Sequence, residues 1–160
     1  MADGSDWWKT EPRVAWVALL LDSFRARVGR ELIDRSGSAV QQAERLFHAP
    51  FIVVSHGTEA DPVLNYGNQA ALALWEMGQE EFLRTPSRRT AEPANQRERA
   101  DMLHQAVTQG LIRNYSGIRI SRTGRRFRVK DAIVWNVRDS QDRYVGQAAT
   151  FSRWAYVDEH

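Results

Sequence analysis

The chain contains no cysteine, which excludes disulfides, thiolate nucleophiles and thiolate metal sites together and is compatible with a reducing compartment. Lysine is nearly absent as well, since 20 of the 22 cationic residues are arginine. With so few groups titrating between neutrality and pH 9, a net charge of only +2 lifts the isoelectric point to about 9.3. The basic isoelectric point is therefore weak evidence for a nucleic-acid partner. No apolar run approaches the roughly 20 residues that span a bilayer. The opening MADGSDWWKT also lacks the basic-then-apolar layout of a secretion signal. A cytoplasmic protein with no membrane association is expected. At 160 residues, without repeats or low-complexity tracts, one domain with a sizeable core is the natural reading.

The charge that is present is concentrated. Residues 1–110 sum to about −3, residues 111–130 to about +7 and residues 131–160 to about −2. From Pro12 onward Val14, Val17, Leu21, Phe24 and Val28 recur at spacings of three and four, predicting a helix over about 12–34 with one apolar face. RSGS stops it; Ser38 with Gln41 then forms a capping box for a short second helix that Ala49-Pro50 ends. FIVVS and PVLNYG read as strands around the polar HGTEAD. Asn68 caps a buried helix, QAALALWEM, with Gly78 placed to close it. A further helix begins at Pro93, buries Ala100, Leu103, Ala106 and Val107, and ends at Gly110.

The last third alternates as β-structure: IRNYSGIRIS, RRFRVKDAIVWNVRD and RYVGQAATFSRW, joined by the turns RTG and SQD. Strict alternation places Phe127, Val129, Ile133, Trp135 and Val137 on one side of the middle strand and the polar residues on the other. The order is helix, helix, two strands, a helix cluster, three antiparallel strands. It resembles the PAS fold, an α+β domain in which a five-stranded antiparallel sheet carries helices over one face, here preceded by an N-terminal helical pair.

FIVVSHGTEADPVLNYGNQAALALWEM, TAEP, YSGIRIS, GRRFRVKDAIVWNV and GQAATFSRW resemble the MEKHLA domain, a PAS-related family found alone in bacteria and at the end of certain plant homeodomain and leucine-zipper regulators. The likeness runs from roughly Phe47 to Trp154, giving an expected division into a helical extension, residues 1–48, and a PAS-like domain, residues 49–160. The resemblance implies a module that senses a ligand, a cofactor or a partner protein. It carries over no catalytic residues, and the homeodomain and zipper of the plant proteins are missing, so their DNA binding does not transfer.

His56, Glu59 and Asp61 fall within HGTEAD, where a connection between strands is expected; one histidine and two loop carboxylates do not fix a metal, so the stretch reads as a turn and no metal site is assigned. His104 borders the apolar face of its helix, and haem-binding PAS sensors are similar in drawing an axial histidine from this region. The plainer reading is a hydrogen-bonded core histidine. Flavin photoreceptors of the same fold use a cysteine for their photoadduct, which this chain lacks; noncovalent flavin stays open. Those receptors also present a glutamine from the last strand, whereas here Gln147 is one residue from the matching Ala148 and is expected on the opposite face.

Any small molecule is expected between sheet and helices, against Asn68, Trp75, Phe82, Leu103, His104, Val107, Ile118, Phe127, Val129, Trp135, Ala148 and Thr150, although Trp75, Phe82, Phe127 and Trp135 would equally suit a filled core. Asn68 is also a natural helix cap. In RNYSGIRISRTGRRFRVK only Tyr115 accompanies the cations as a stacking platform, which favours a solvated or partner-facing surface over a nucleic-acid site. No nucleophile with a base and no phosphate loop is recognisable, so a non-enzyme is expected. The leading reading is a ligand- or cofactor-responsive sensor; the alternative is an interaction module that binds a protein through its sheet face and N-terminal helices. A homodimer is expected through Val14, Val17, Leu21, Phe24 and Val28, with Trp7, Trp8 and Trp16 adding apolar surface. The competing arrangement folds that helix onto its own sheet, over Val145, Ala149 and Phe151.

Overall fold

The computed structural model describes residues 4–157. After a short 3₁₀ segment, Gly4–Lys9, come helices α1 (Glu11–Val28) and α2 (Ala39–Phe47), strands β1 (Ile52–His56) and β2 (Leu64–Gly67), helices α3 (Gln69–Trp75), α4 (Gln79–Phe82) and α5 (Pro93–Gln109), and strands β3 (Leu111–Ile120), β4 (Arg126–Arg138), β5 (Tyr144–Phe151) and β6 (Arg153–Tyr156). The strands form one antiparallel sheet in the order β2-β1-β5-β4-β3, with β6 on the remaining length of β4. The run expected as a single last strand thus divides at Ser152: β5 pairs with Ile133–Arg138 and β6 with Phe127–Lys130.

Local chemistry accounts for the helix ends. Gly29 takes a left-handed conformation at φ 88° and stops α1 several residues before the expected end. Ser38 and Gln41 close a reciprocal capping box on α2. α3 ends at Trp75, with Glu76 left-handed, so Gly78 begins α4 rather than closing the preceding helix.

Two layers cover the sheet. On one face α1, α2 and the 3₁₀ segment pack Trp7, Leu20, Leu21, Phe24, Leu46 and Phe47 against Val53, Tyr66, Trp135 and Val137. On the other, α3 to α5 pack against Ile52, Leu64, Phe127, Val129, Ala132, Val134 and Phe151. The helix expected as a dimer seam therefore lies on its own sheet. Phe24 meets the Trp135 ring edge-on at 4.9 Å, the Trp135 indole donates to the Leu20 carbonyl at 3.2 Å, and the Ser23 hydroxyl accepts from the Arg138 amide at 2.9 Å. Val17, Leu21 and Phe24 are fully buried within the chain and Val14 and Val28 half-buried against the same cluster, so the seam assigned to a homodimer is consumed intramolecularly. Of the three strand residues that fold-back was expected to cover, Val145 packs there, while Ala149 and Phe151 belong to the opposite face.

A bulge sets which β4 residues face which layer. Between the pairs Gly117↔Val129 and Tyr115↔Ala132, β4 has one residue more than β3, and Asp131 takes up the excess at φ 54°. One extra residue reverses the alternation. Phe127 and Val129 consequently face α3 to α5, whereas Ile133, Trp135 and Val137 face α1, correcting the single side expected for all five. Arg153 reaches across the bend to the Asp131 carboxylate at 2.7 Å.

Candidate functional site

Between the sheet and the helices α3 to α5 lies a cavity of about 80 Å³. Its walls are largely apolar: Val54, Leu64, Trp75, Phe82, Met102, Leu103, Val129, Ala132, Val134 and Phe151. Trp75 is held by both ends of its short helix. At the start the Asn68 side chain accepts from the Ala71 amide, and at the end Arg122 donates its amide to the Trp75 carbonyl. The roof, α5, is tied down by two side chains of the sheet: Gln147 donates to the Leu103 carbonyl at 3.1 Å and Asn136 to the Val107 carbonyl at 3.1 Å.

Into this apolar wall the chain inserts unusual polar groups. Arg99, on the sheet-facing side of α5, is 7% exposed, and Arg119, on β3, is 8% exposed; both line the cavity. Arg99 donates to the Ser87 hydroxyl; Arg119 donates to the Tyr115 hydroxyl at 3.0 Å and to the Ile118 carbonyl at 2.9 Å. Neither arginine has an ion-pair partner among the described residues. Burial, reinforced by the Arg119 charge, pushes Arg99 down to about 10, which leaves it cationic at neutral pH. Gly117 makes the arrangement sterically feasible, because a Cβ there would collide with the Tyr115 hydroxyl and crowd the Arg119 guanidinium.

His56 is the third such group. It is 7% exposed at the end of β1, and its Nδ1 lies 2.9 Å from the Gly57 carbonyl, which can only accept; Nδ1 therefore carries the proton. Nε2 is left as a buried acceptor without a partner among the described residues. Burial holds the imidazole below its ordinary pKa, opposed by the Gly57 hydrogen bond and helped by the Arg99 cation, so the ring is neutral at pH 7.

The MEKHLA domain model matches residues 14–156, nine-tenths of the sequence. The chain belongs to the MEKHLA domain family. The match begins inside α1, well before the Phe47 start expected from sequence, in keeping with the core that α1 shares with the sheet. No curated protein matches this MEKHLA chain. Among solved structures it is similar to the PAS domain of a Colwellia psychrerythraea protein (13% identity over 73% of this chain and 94% of that one, TM-score 0.61). It is similar also to a light-oxygen-voltage domain studied with a flavin analogue (16% identity, 74% and 86% covered, TM-score 0.58) and to the light-oxygen-voltage domain of the blue-light photoreceptor aureochrome1 (21% identity, 81% and 90% covered, TM-score 0.55). At these identities the likeness establishes the PAS fold of this MEKHLA domain.

Five of the twelve residues expected at a ligand site line the cavity: Trp75, Phe82, Leu103, Val129 and Ala148. The others lie elsewhere. Asn68 is fully buried and fully engaged, accepting from the Val53 and Ala71 amides and donating to the Leu46 and Phe51 carbonyls, so it is a structural clip. Phe127 fills core against the Trp75 ring at 5.2 Å, Trp135 faces α1, and the Thr150 hydroxyl donates to the Ile52 carbonyl. Ile118 is half-buried outside the cavity wall, and His104 and Val107 are exposed, since α5 turns Arg99, Met102 and Ala106 inward instead of Ala100 and Val107. An exposed His104 cannot ligate a haem held in this cavity. Nor does the space suit a flavin or haem ring system, as a cavity of about 150 Å³ is what takes a single benzene.

Two expectations reverse. Gln147 pairs with His56, lines the cavity and reaches the Leu103 carbonyl, so the glutamine faces α3 to α5, while Ala148, which also borders the cavity, packs in the cluster under α1. HGTEAD is a turn only from Gly57 onward: Glu59 accepts from the Val63 amide and Asp61 pairs with Arg88 at 3.2 Å, both exposed, while His56 belongs to the strand and the cavity. Arg99 and Arg119 are absent from the expected site; Arg119 falls in the segment expected to be a solvated or partner-facing surface. The available signal was positional: Arg99 is three and four residues before Met102 and Leu103, on their stripe.

Proposed function

We propose that this MEKHLA domain is a non-catalytic sensory module that binds a small ligand in the cavity between β1, β3, β4, β5 and α3 to α5. The observation that carries the reading is a largely apolar cavity lined by Arg99 and Arg119, which have no ion-pair partner among the described residues, and by His56, whose buried Nε2 has no hydrogen-bond partner there. For the alternative, an interaction module acting through the sheet face and N-terminal helices, α1 and α2 cover the sheet face and leave only their own outer side as a binding surface. A ligand under α5 would act on the helix directly, through the same Gln147 and Asn136 contacts that hold it to the sheet.

The test is a ligand-observed NMR screen of small polar fragments against the full chain and against Ala149→Leu, which fills the cavity from β5. Fragments that bind the parent and lose binding to the filled variant support the reading. Hits that persist unchanged in Ala149→Leu refute it.

A further inference from the structure

We propose that the cavity ligand is a small hydroxy-carboxylate of about glycolate size, its carboxylate held by Arg99 and Arg119 and its hydroxyl donated to Nε2 of His56. The inference rests on the cavity-binding reading above and adds the ligand's chemistry. Two buried guanidinium groups that line one cavity and repel each other, with no carboxylate paired to either among the described residues, are costly, and an anionic ligand would supply the missing charge. The acidic influences on the pair are remote: Asp61 is exposed and engaged with Arg88, and Glu98 is reached only through the Tyr115 hydroxyl, which donates to it at 3.0 Å. Each guanidinium has five N–H donors, of which Arg99 uses one and Arg119 two among the described residues. The remainder suit the planar oxygens of a carboxylate.

His56 adds the second requirement. Because its Nδ1 proton is committed to the Gly57 carbonyl, Nε2 accepts and does not donate, and an anion alone would leave it unpaired or face its lone pair. A ligand bearing a hydroxyl beside the carboxylate satisfies both arms. The volume of about 80 Å³ limits the remainder of the molecule to a carbon or two, against the apolar wall of Val54, Val129, Ala132 and Phe151.

The experiment titrates glycolate, acetate and glycolamide into the full-length protein and follows amide resonances of cavity residues by NMR. Acetate lacks the hydroxyl and glycolamide lacks the charge. The expected order is glycolate tightest, acetate weaker by about three- to tenfold, the scale of one neutral hydrogen bond, and glycolamide weaker by tenfold or more. Arg99→Met removes the glycolate preference over glycolamide without lowering thermal stability, since it also removes an uncompensated buried charge, and Arg99→Lys restores part of it. His56→Phe makes glycolate and acetate equal. If glycolamide binds as tightly as glycolate, the carboxylate assignment is overturned while cavity binding stands; if none of the three shifts cavity resonances, the inference is overturned and the fragment screen judges the cavity separately.

Discussion

Replacing Phe24 with alanine measures how firmly α1 belongs to the domain. The ring is 0% exposed and meets Trp135 edge-on at 4.9 Å. Phenylalanine-to-alanine changes in a packed core cost about 3–5 kcal/mol. The edge-to-face contact accounts for about 1 kcal/mol of that. A loss of about 4 kcal/mol is a large share of the roughly 5–15 kcal/mol that stabilises a domain, and at this chain length it lowers Tm by about 8–16 °C. Urea unfolding followed by tryptophan fluorescence and circular dichroism should give one transition with a lowered midpoint and an unchanged slope, because α1 and β4 share one core. Two separate transitions, or a cost under about 1 kcal/mol, would refute the shared core. The double variant Leu21→Glu/Phe24→Glu should unfold; a well-folded product of half the parent's mass by light scattering would instead restore α1 as a seam between copies.

Asn68→Ala strips partners from two amides and two carbonyls, at about 1 kcal/mol each, so chemical denaturation should show a loss of about 3–5 kcal/mol; a loss below about 1 kcal/mol would mean the clip is not structural. His56 has a folded-state pKa below its unfolded value, so the stability it lends is full above the ordinary histidine range near about 6.5 and is lost as pH falls through that value toward the depressed one. Unfolding measured between about pH 8 and about pH 5 should therefore weaken more steeply in the parent than in His56→Phe, and parallel curves would show that His56 is not buried neutral.

Period and punctuation made the element order readable from the chain. The capping box at Ser38, the cap at Asn68 and the stop at Gly110 rest on local chemistry, and each is found where local chemistry puts it. What failed was long-range. The bulge at Asp131 has no strong signal in RVKDAIV, yet it moves Trp135 from the cavity to the α1 face. The same limit applied to α5: an arginine on an apolar stripe reads as solvated until the sheet is seen to enclose it. Gln147 was misassigned because its face was counted from a matched position, whereas its pairing with His56 on β1 places it.

The most direct test of the account is to follow the guanidinium Nε–H resonances of Arg99 and Arg119 in ¹⁵N-labelled protein during a glycolate titration, assigned through the Arg99→Lys and Arg119→Lys variants. The account predicts that both resonances, and the Nε2 signal of His56, move together and saturate at one dissociation constant. Saturable glycolate binding that leaves both guanidinium signals and His56 unmoved would contradict it.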